Sequence, residues 1–144
     1  MLFRSAGFNE QGATFKDLLS GKSFEDTVKA ANTDMRETFY KAGTVIGFFG
    51  MGPDGHTAGI LPNSPAAVSD EVWVVGYDGG EHQRFTLTPF ALSHVQKAYI
   101  GSFGDAKRPA LETLRDQTLS ITEQPAQILR DIPETVIYND QIGD

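Results

Sequence analysis

With 144 residues, 40% of them hydrophobic, the chain has the length of one compact domain and is too short for two. Nineteen acidic against twelve basic residues leave a formal charge of −7, which offers no general attraction to nucleic-acid backbones or to anionic membrane surfaces. The absence of cysteine rules out disulfide scaffolds, cysteine-ligated zinc and thiol nucleophiles, and agrees with a reducing cytoplasm.

The opening residues hold too short an apolar run for a signal peptide, and no window reaches membrane-spanning length, so a cytoplasmic chain with neither membrane nor nucleic-acid partner is expected. Residues 1–22 offer only the apolar segment Met1-Leu2-Phe3 before loop-like sequence. From Ser23 to Gly43, Phe24, Val28, Ala31, Met35 and Phe39 recur at steps of three and four, the spacing of one helix face. Ser23 with Asp26 approximates a capping box, and Gly43 suits a left-handed C-terminal cap. Thr44 to Phe49 is then a continuous apolar run without alternation, the pattern of a strand covered on both faces in a parallel sheet. Further strands are expected at Val72–Val75, Ala98–Ile100 and Thr135–Tyr138. Between them, Thr88-Pro89 opens a short helix through Val95, Asp105 caps one through Leu114, and Pro125 starts another through Arg130. The alternation predicts an α/β fold over residues 1–144, with a mostly parallel, Rossmann-like sheet flanked by helices.

Gly50 to Pro62 follows the strongest predicted strand, and the carboxyl ends of strands are where open α/β sheets place their sites. Gly50, Gly52 and Gly55 let the backbone turn sharply and approach a ligand, while Asp54 and His56 bring a carboxylate and an imidazole together. Such a pair can do acid–base work: His56 takes a proton from water, and Asp54 fixes its tautomer and stabilises the imidazolium. Pro-Asp-Gly is also an ordinary turn sequence, so the local chemistry leaves a structural reading open. Lys107 and Arg84 each lie close to a predicted helix start, where two cationic donors and backbone N–H groups suit a phosphate dianion. His82 and His94 have no carboxylate at metal-ligand spacing, so no metal site is expected.

The string from Gly50 through Asp54-Gly55-His56 to Leu61-Pro62 resembles the signature of 6-phosphogluconolactonases, within the larger family of glucosamine-6-phosphate deaminases and isomerases. Thr57-Ala58 and Leu61-Pro62 resemble the lactonase branch. The deaminase branch tends to carry Ile after the histidine and a Phe-Asn-Glu segment next. Downstream, Arg84 to Leu92, Gly101 to Lys107, Gln124 to Arg130 and Val136 to Asp140 are similar to further family segments. The resemblance implies hydrolysis of 6-phospho-D-glucono-1,5-lactone without metal or cofactor. It implies His56 as general base oriented by Asp54 and a substrate phosphate held by Lys107 with Arg84; the Gly50 and Gly52 amides of the turn are the candidate oxyanion donors.

Complete members of that family begin with strands, a glycine- and serine-rich phosphate loop and an Asp-Glu-Arg segment that have no match here, and Ala42 to Val45 stands where they carry an acidic residue. The chain therefore resembles the C-terminal larger part of a lactonase that lacks the family's first strands, and its uncovered sheet edge is expected to favour self-association. Two alternatives are an amino-sugar-phosphate deaminase or isomerase, and a catalytically inactive sugar-phosphate-binding remnant.

Overall fold

The computed structural model describes residues 7–19 and 21–143. The apolar segment Met1-Leu2-Phe3 lies outside them. After a short 3-10 turn at Phe8–Gln11, the helix α1 runs from Phe24 to Lys41. Its first turn is closed as the sequence suggests: the Asp26 amide donates to Ser23 Oγ at 3.1 Å, and the Ser23 hydroxyl donates to Asp26 Oδ2 at 2.7 Å. Its end differs. Ala42 is the C-cap, in an extended conformation, and Gly43 has no positive φ, so the chain leaves the helix without the expected left-handed turn.

Three strands, β1 (Ile46–Gly50), β4 (Lys97–Ser102) and β5 (Glu134–Asn139), form a parallel sheet in the order β1-β4-β5. Between β1 and β4 the chain makes an antiparallel ribbon of β2 (Val74–Asp78) and β3 (Gln83–Leu87), and then the single-turn helix α2 (Pro89–Leu92). The strand β3 is not among the sequence expectations. The expected helix through Val95 stops at Leu92, although Thr88 caps it as anticipated, accepting from the Ala91 amide at 3.1 Å. After β4, a 3-10 turn at Asp105–Lys107 leads into α3 (Arg108–Asp116). Asp105 does not cap that helix; Lys107 occupies the N-cap position. Pro125–Arg130 is a 3-10 segment.

Two apolar clusters hold these pieces together. The larger packs the inner face of the parallel sheet, Ala98 and Ile100 among it, against Leu111, Leu114, Ile128 and Leu129. The smaller sets α1 on the ribbon around the buried Trp73, whose ring meets Phe39 at 5.0 Å and Phe90 at 5.2 Å. Asn32 on α1 fixes that docking, because its Oδ1 accepts from the backbone amides of Trp73 and Val74 at 2.8 and 3.0 Å. The result is a mixed α/β fold with a parallel sheet flanked by helices, to which the Rossmann-like description applies loosely.

One expectation about β1 fails. A continuous apolar run predicts burial on both faces, yet Ile46 is 48% and Phe48 79% exposed. The residues in register with them, Lys97 and Tyr99 on β4 and Glu134 and Val136 on β5, share this outer face, on which none of the described helices packs.

Candidate active site

The segment after β1 folds back on itself through its own backbone. The Gly52 amide donates to the carbonyl of His56 at 2.8 Å, the Gly55 amide donates to the carbonyl of Gly52 at 3.0 Å, and the Thr57 hydroxyl donates to the carbonyl of Gly50 at 2.9 Å. Two glycines are required in this turn. Gly55 has φ +79°, in the left-handed region, and a Cβ there would lie 2.5 Å from Gln124 Cγ. A Cβ on Gly52 would fall 2.2 Å from the His56 ring and 2.6 Å from Asp54 Oδ1, so the space above Gly52 is where the two candidate side chains meet.

They meet closely. Asp54 Oδ1 lies 2.6 Å from His56 Nδ1 and also accepts the His56 backbone amide at 3.1 Å. A carboxylate acceptor selects the tautomer with hydrogen on Nδ1, which leaves Nε2 as a proton acceptor. Partial burial pushes the Asp54 carboxyl up, but hydrogen bonds from the His56 amide and ring, with the attraction of the ring's charge, outweigh it and hold the carboxyl below the usual range. Asp54 and His56 are both about half exposed, so the pair is open to solvent.

The turn is braced from two sides. On one, the β2–β3 ribbon reaches it through Tyr77, whose hydroxyl donates to the carbonyl of Gly59 at 2.7 Å, and through Thr86, whose hydroxyl donates to the carbonyl of Ala58. That second contact holds Ala58 at φ 52°, where a side chain costs about 1–2 kcal/mol. On the other side, the Ala126 amide donates to the carbonyl of Gly55 at 2.9 Å. The buried Gln124 packs on Gly55 while its Nε2 donates to the carbonyl of Ala110 at 2.8 Å. Gln124 thus links the turn to the first turn of α3. Sequence reading named the segment but not this role, because the contacts of Gln124 with Gly55 and Ala110 are distant in sequence.

Lys107 enters on the same side. Because β1 and β4 are adjacent and parallel, with Gly50 opposite Gly101, the Asp54–His56 turn and the Gly104–Lys107 turn leave neighbouring strand ends about 5 Å apart. Pro53 and Asp54 share a cleft of about 180 Å³ with Pro109, Ala110 and Gln124. Lys107 forms no ion pair among the described residues. Asp140 ties down its loop by accepting the Gly104 amide at 2.9 Å. Arg84 is placed differently. It stands opposite Tyr77 in the ribbon and lies over Gly79, where a Cβ would be 2.5 Å from its Nε, and that Nε is buried without a hydrogen-bond partner. It shares a strand face with Thr86, two residues on, so the ribbon carries it beside the turn without joining it to the Asp54–His56 pair.

The expected oxyanion donors divide as well. The Gly52 amide is committed to His56 and is not available in this conformation. Gly50 differs, by the alternation of a parallel ladder. The carbonyl of Val45 accepts from Lys97 on β4, so odd-numbered groups of β1 face β4 and the Gly50 N–H faces the open side of the strand. His94 is engaged elsewhere, its ring packed 4.7 Å from Trp73 and its Nδ1 2.9 Å from the carbonyl of Phe90. A larger cavity, of about 470 Å³, lies away from the turn, between α3 and β5. No described helix is long and apolar enough to cross a membrane.

Fold and turn together define the class: a parallel α/β protein with a hydrogen-bonded carboxylate–imidazole pair on a glycine-rich turn at the carboxyl end of a strand. Within that class, the family described as glucosamine-6-phosphate isomerases/6-phosphogluconolactonase matches residues 8–138. The chain belongs to this family. Solved structures agree in fold. A 6-phosphogluconolactonase from Shewanella baltica superposes with a TM-score of 0.72 at 20% identity, over 90% of this chain and 58% of that one. That from Trypanosoma brucei gives 0.67 at 19%, over 92% and 57%. The enzyme from Thermotoga maritima gives 0.66 at 27%, over 82% and 52%. The chain spans about half the length of the solved structures it matches. No curated protein matches it.

Proposed function

We propose that the chain carries the catalytic turn of a 6-phosphogluconolactonase and hydrolyses 6-phospho-D-glucono-1,5-lactone to 6-phosphogluconate. The observation that supports this reading most directly is the 2.6 Å contact between Asp54 Oδ1 and His56 Nδ1 on a turn whose sequence resembles the lactonase signature. In the proposed reaction His56 Nε2 takes a proton from water as the water oxygen bonds to the lactone carbonyl carbon. Collapse of the tetrahedral intermediate breaks the bond from that carbon to the ring oxygen, and the imidazolium returns the proton to the leaving oxygen. Asp54 stabilises the imidazolium between these steps. The Gly50 N–H is the oxyanion donor, a contribution typically worth ~3 to 4 kcal/mol. Lys107, at the start of α3, holds the phosphate as a point charge, and Arg84 borders the site from the ribbon.

The test is the initial rate of hydrolysis of freshly generated lactone, corrected for spontaneous hydrolysis, for the parent and for His56→Ala. The expected outcome is a parent above background and a variant reduced by several powers of ten, on the order of a lost general base plus its positioning. Near-normal turnover by the variant would refute His56 as the base. A folded parent at background would mean that these residues need the remaining length of the longer relatives. Ammonia release from glucosamine 6-phosphate would favour the deaminase reading instead.

A further inference from the structure

Two buried glutamines stand between the Asp54–His56 turn and α3. The segment that follows Gln124 is 3-10, and its first bond runs from the Gln127 amide to the Gln124 carbonyl at 2.9 Å. In such a helix residues three apart lie one above the other, so Gln124 and Gln127, 4% and 5% exposed, share one face. Their amides form a chain. Gln124 Nε2 donates to the carbonyl of Ala110 at 2.8 Å, and Gln127 Nε2 donates both to Gln124 Oε1 at 2.7 Å and to the carbonyl of Gln117 at 3.1 Å. The direction of the chain is fixed from its ends, because a backbone carbonyl only accepts. Turning either amide over would set oxygen against oxygen at Ala110 or at Gln117. Burying two amides costs stability that an apolar pair would not, and among the described residues Gln127 Oε1 has no partner. A network of this kind holds its neighbours in one arrangement.

What they hold are the two halves of the candidate site. Ala110 lies in the first turn of α3 and Gln117 is its C-cap, so the glutamines grip at both ends the helix whose N-cap is Lys107. On the other side Gln124 Cγ lies against Gly55, and the Ala126 amide donates to the Gly55 carbonyl at 2.9 Å, one residue before His56. Pro53, Asp54, Ala110 and Gln124 border one cleft. In a phosphorylated lactone the phosphate and the carbonyl are joined by a covalent frame, so their separation has to match that between Lys107 and His56. A misplacement of about 1 Å there is worth about 100-fold in rate. We infer that Gln124 is a positioning residue that sets the separation of His56 from Lys107, with Gln127 fixing the orientation of its amide. The inference rests on the catalytic reading above, which gives His56 and Lys107 their roles.

Gln124→Leu tests it, because leucine keeps the bulk against Gly55 and removes the amide. With 6-phosphogluconolactone kcat should fall by about 100-fold while KM stays near that of the parent, since Lys107 is retained. Glucono-1,5-lactone has no phosphate for Lys107 to hold, and its slower hydrolysis should proceed at the parent rate. Hydrogen exchange should quicken at the amides of Gly55 and Ala126, with the β4 amides protected as in the parent, which separates a local displacement from a general loss of stability. Gln127→Leu leaves the Gln124–Ala110 bond and the packing on Gly55 in place. It should give the same pattern to a smaller extent, and it carries the test if Gln124→Leu does not fold. Parent-like kcat on the phosphorylated lactone overturns the inference, as does an equal loss on both lactones, which would make Gln124 a support of the turn alone. A parent at background on both lactones refutes the catalytic reading instead. Exchange then decides whether Gln124 positions the turn: faster exchange confined to Gly55 and Ala126 upholds it, and unchanged exchange there overturns it.

Discussion

At the scale of single residues, the site is organised by what surrounds the imidazole rather than by the imidazole alone. Gly52 leaves the room in which Asp54 and His56 touch, Gly55 supplies a backbone conformation that L residues rarely adopt, and Gln124 fills the space that a side chain at Gly55 would take. The Asp54 carboxyl also carries a pH signature. Its folded pKa lies below its ordinary value, so its contribution to stability is complete above the unfolded value near 4 and is lost as pH falls through the lower folded value. The group is about half exposed, which limits that contribution to about 1 kcal/mol. Asp54→Asn, which cannot titrate, should lose less stability than the parent between pH 5 and pH 2, about where a depressed carboxylate titrates. Urea unfolding at the two pH values measures it, and parallel losses in both proteins would contradict the assignment.

At the scale of elements, α1 and the ribbon form one packed unit around Trp73, and the ribbon in turn steadies the turn through Tyr77 and Thr86. The helix was legible because its apolar spacing and Ser23 cap are local features. The ribbon was legible in part: the strand expected at Val72–Val75 runs instead over Val74–Asp78 and pairs antiparallel, while Arg84 to Leu87 alternates too briefly to be distinguished from a loop and takes its strand character from that pairing. Asn32 belongs to the same category, a polar residue on a helix whose partners lie 41 and 42 residues away. Asn32→Ala should cost about 1–3 kcal/mol by leaving two backbone donors without their acceptor, whereas Asn32→Asp, which keeps an acceptor, should cost less. Chemical unfolding followed by fluorescence of Trp73, the single tryptophan, reads the difference; equal costs would show that the two bonds are not what holds the helix.

At the scale of the whole molecule, the order β1-β4-β5 gives β4, among the described residues, a partner on both sides and β1 a partner on one. The amides of β4 should therefore exchange slowest. In β1 the parallel ladder commits the Gly47 and Phe49 amides to β4 and turns those of Ile46, Phe48 and Gly50 toward the open side. Hydrogen exchange should alternate along β1 accordingly, and uniform protection of all five would show that another strand pairs there. That open amide of Gly50 is also the proposed oxyanion donor, so the edge of the sheet and the chemistry of the turn are two aspects of one feature. The outer face follows from the same arrangement, since among the described residues the helices pack on one side of the three-stranded sheet and leave Phe48 and Tyr138 uncovered.

The sequence by itself determined the α/β class, the helix from Phe24, the strands of the parallel sheet and the turn that joins Asp54 to His56, because each depends on periodicity, capping or spacing within a few residues. Tertiary structure decided what depends on contacts distant in sequence. It committed the Gly52 amide to the turn and left that of Gly50 open, set Arg84 over Gly79, joined Gln124 to both Gly55 and Ala110, and exposed one face of a strand whose apolar run predicted burial on both. An apolar run records that a surface avoids water, and only the assembled fold shows which neighbour, if any, is there to cover it.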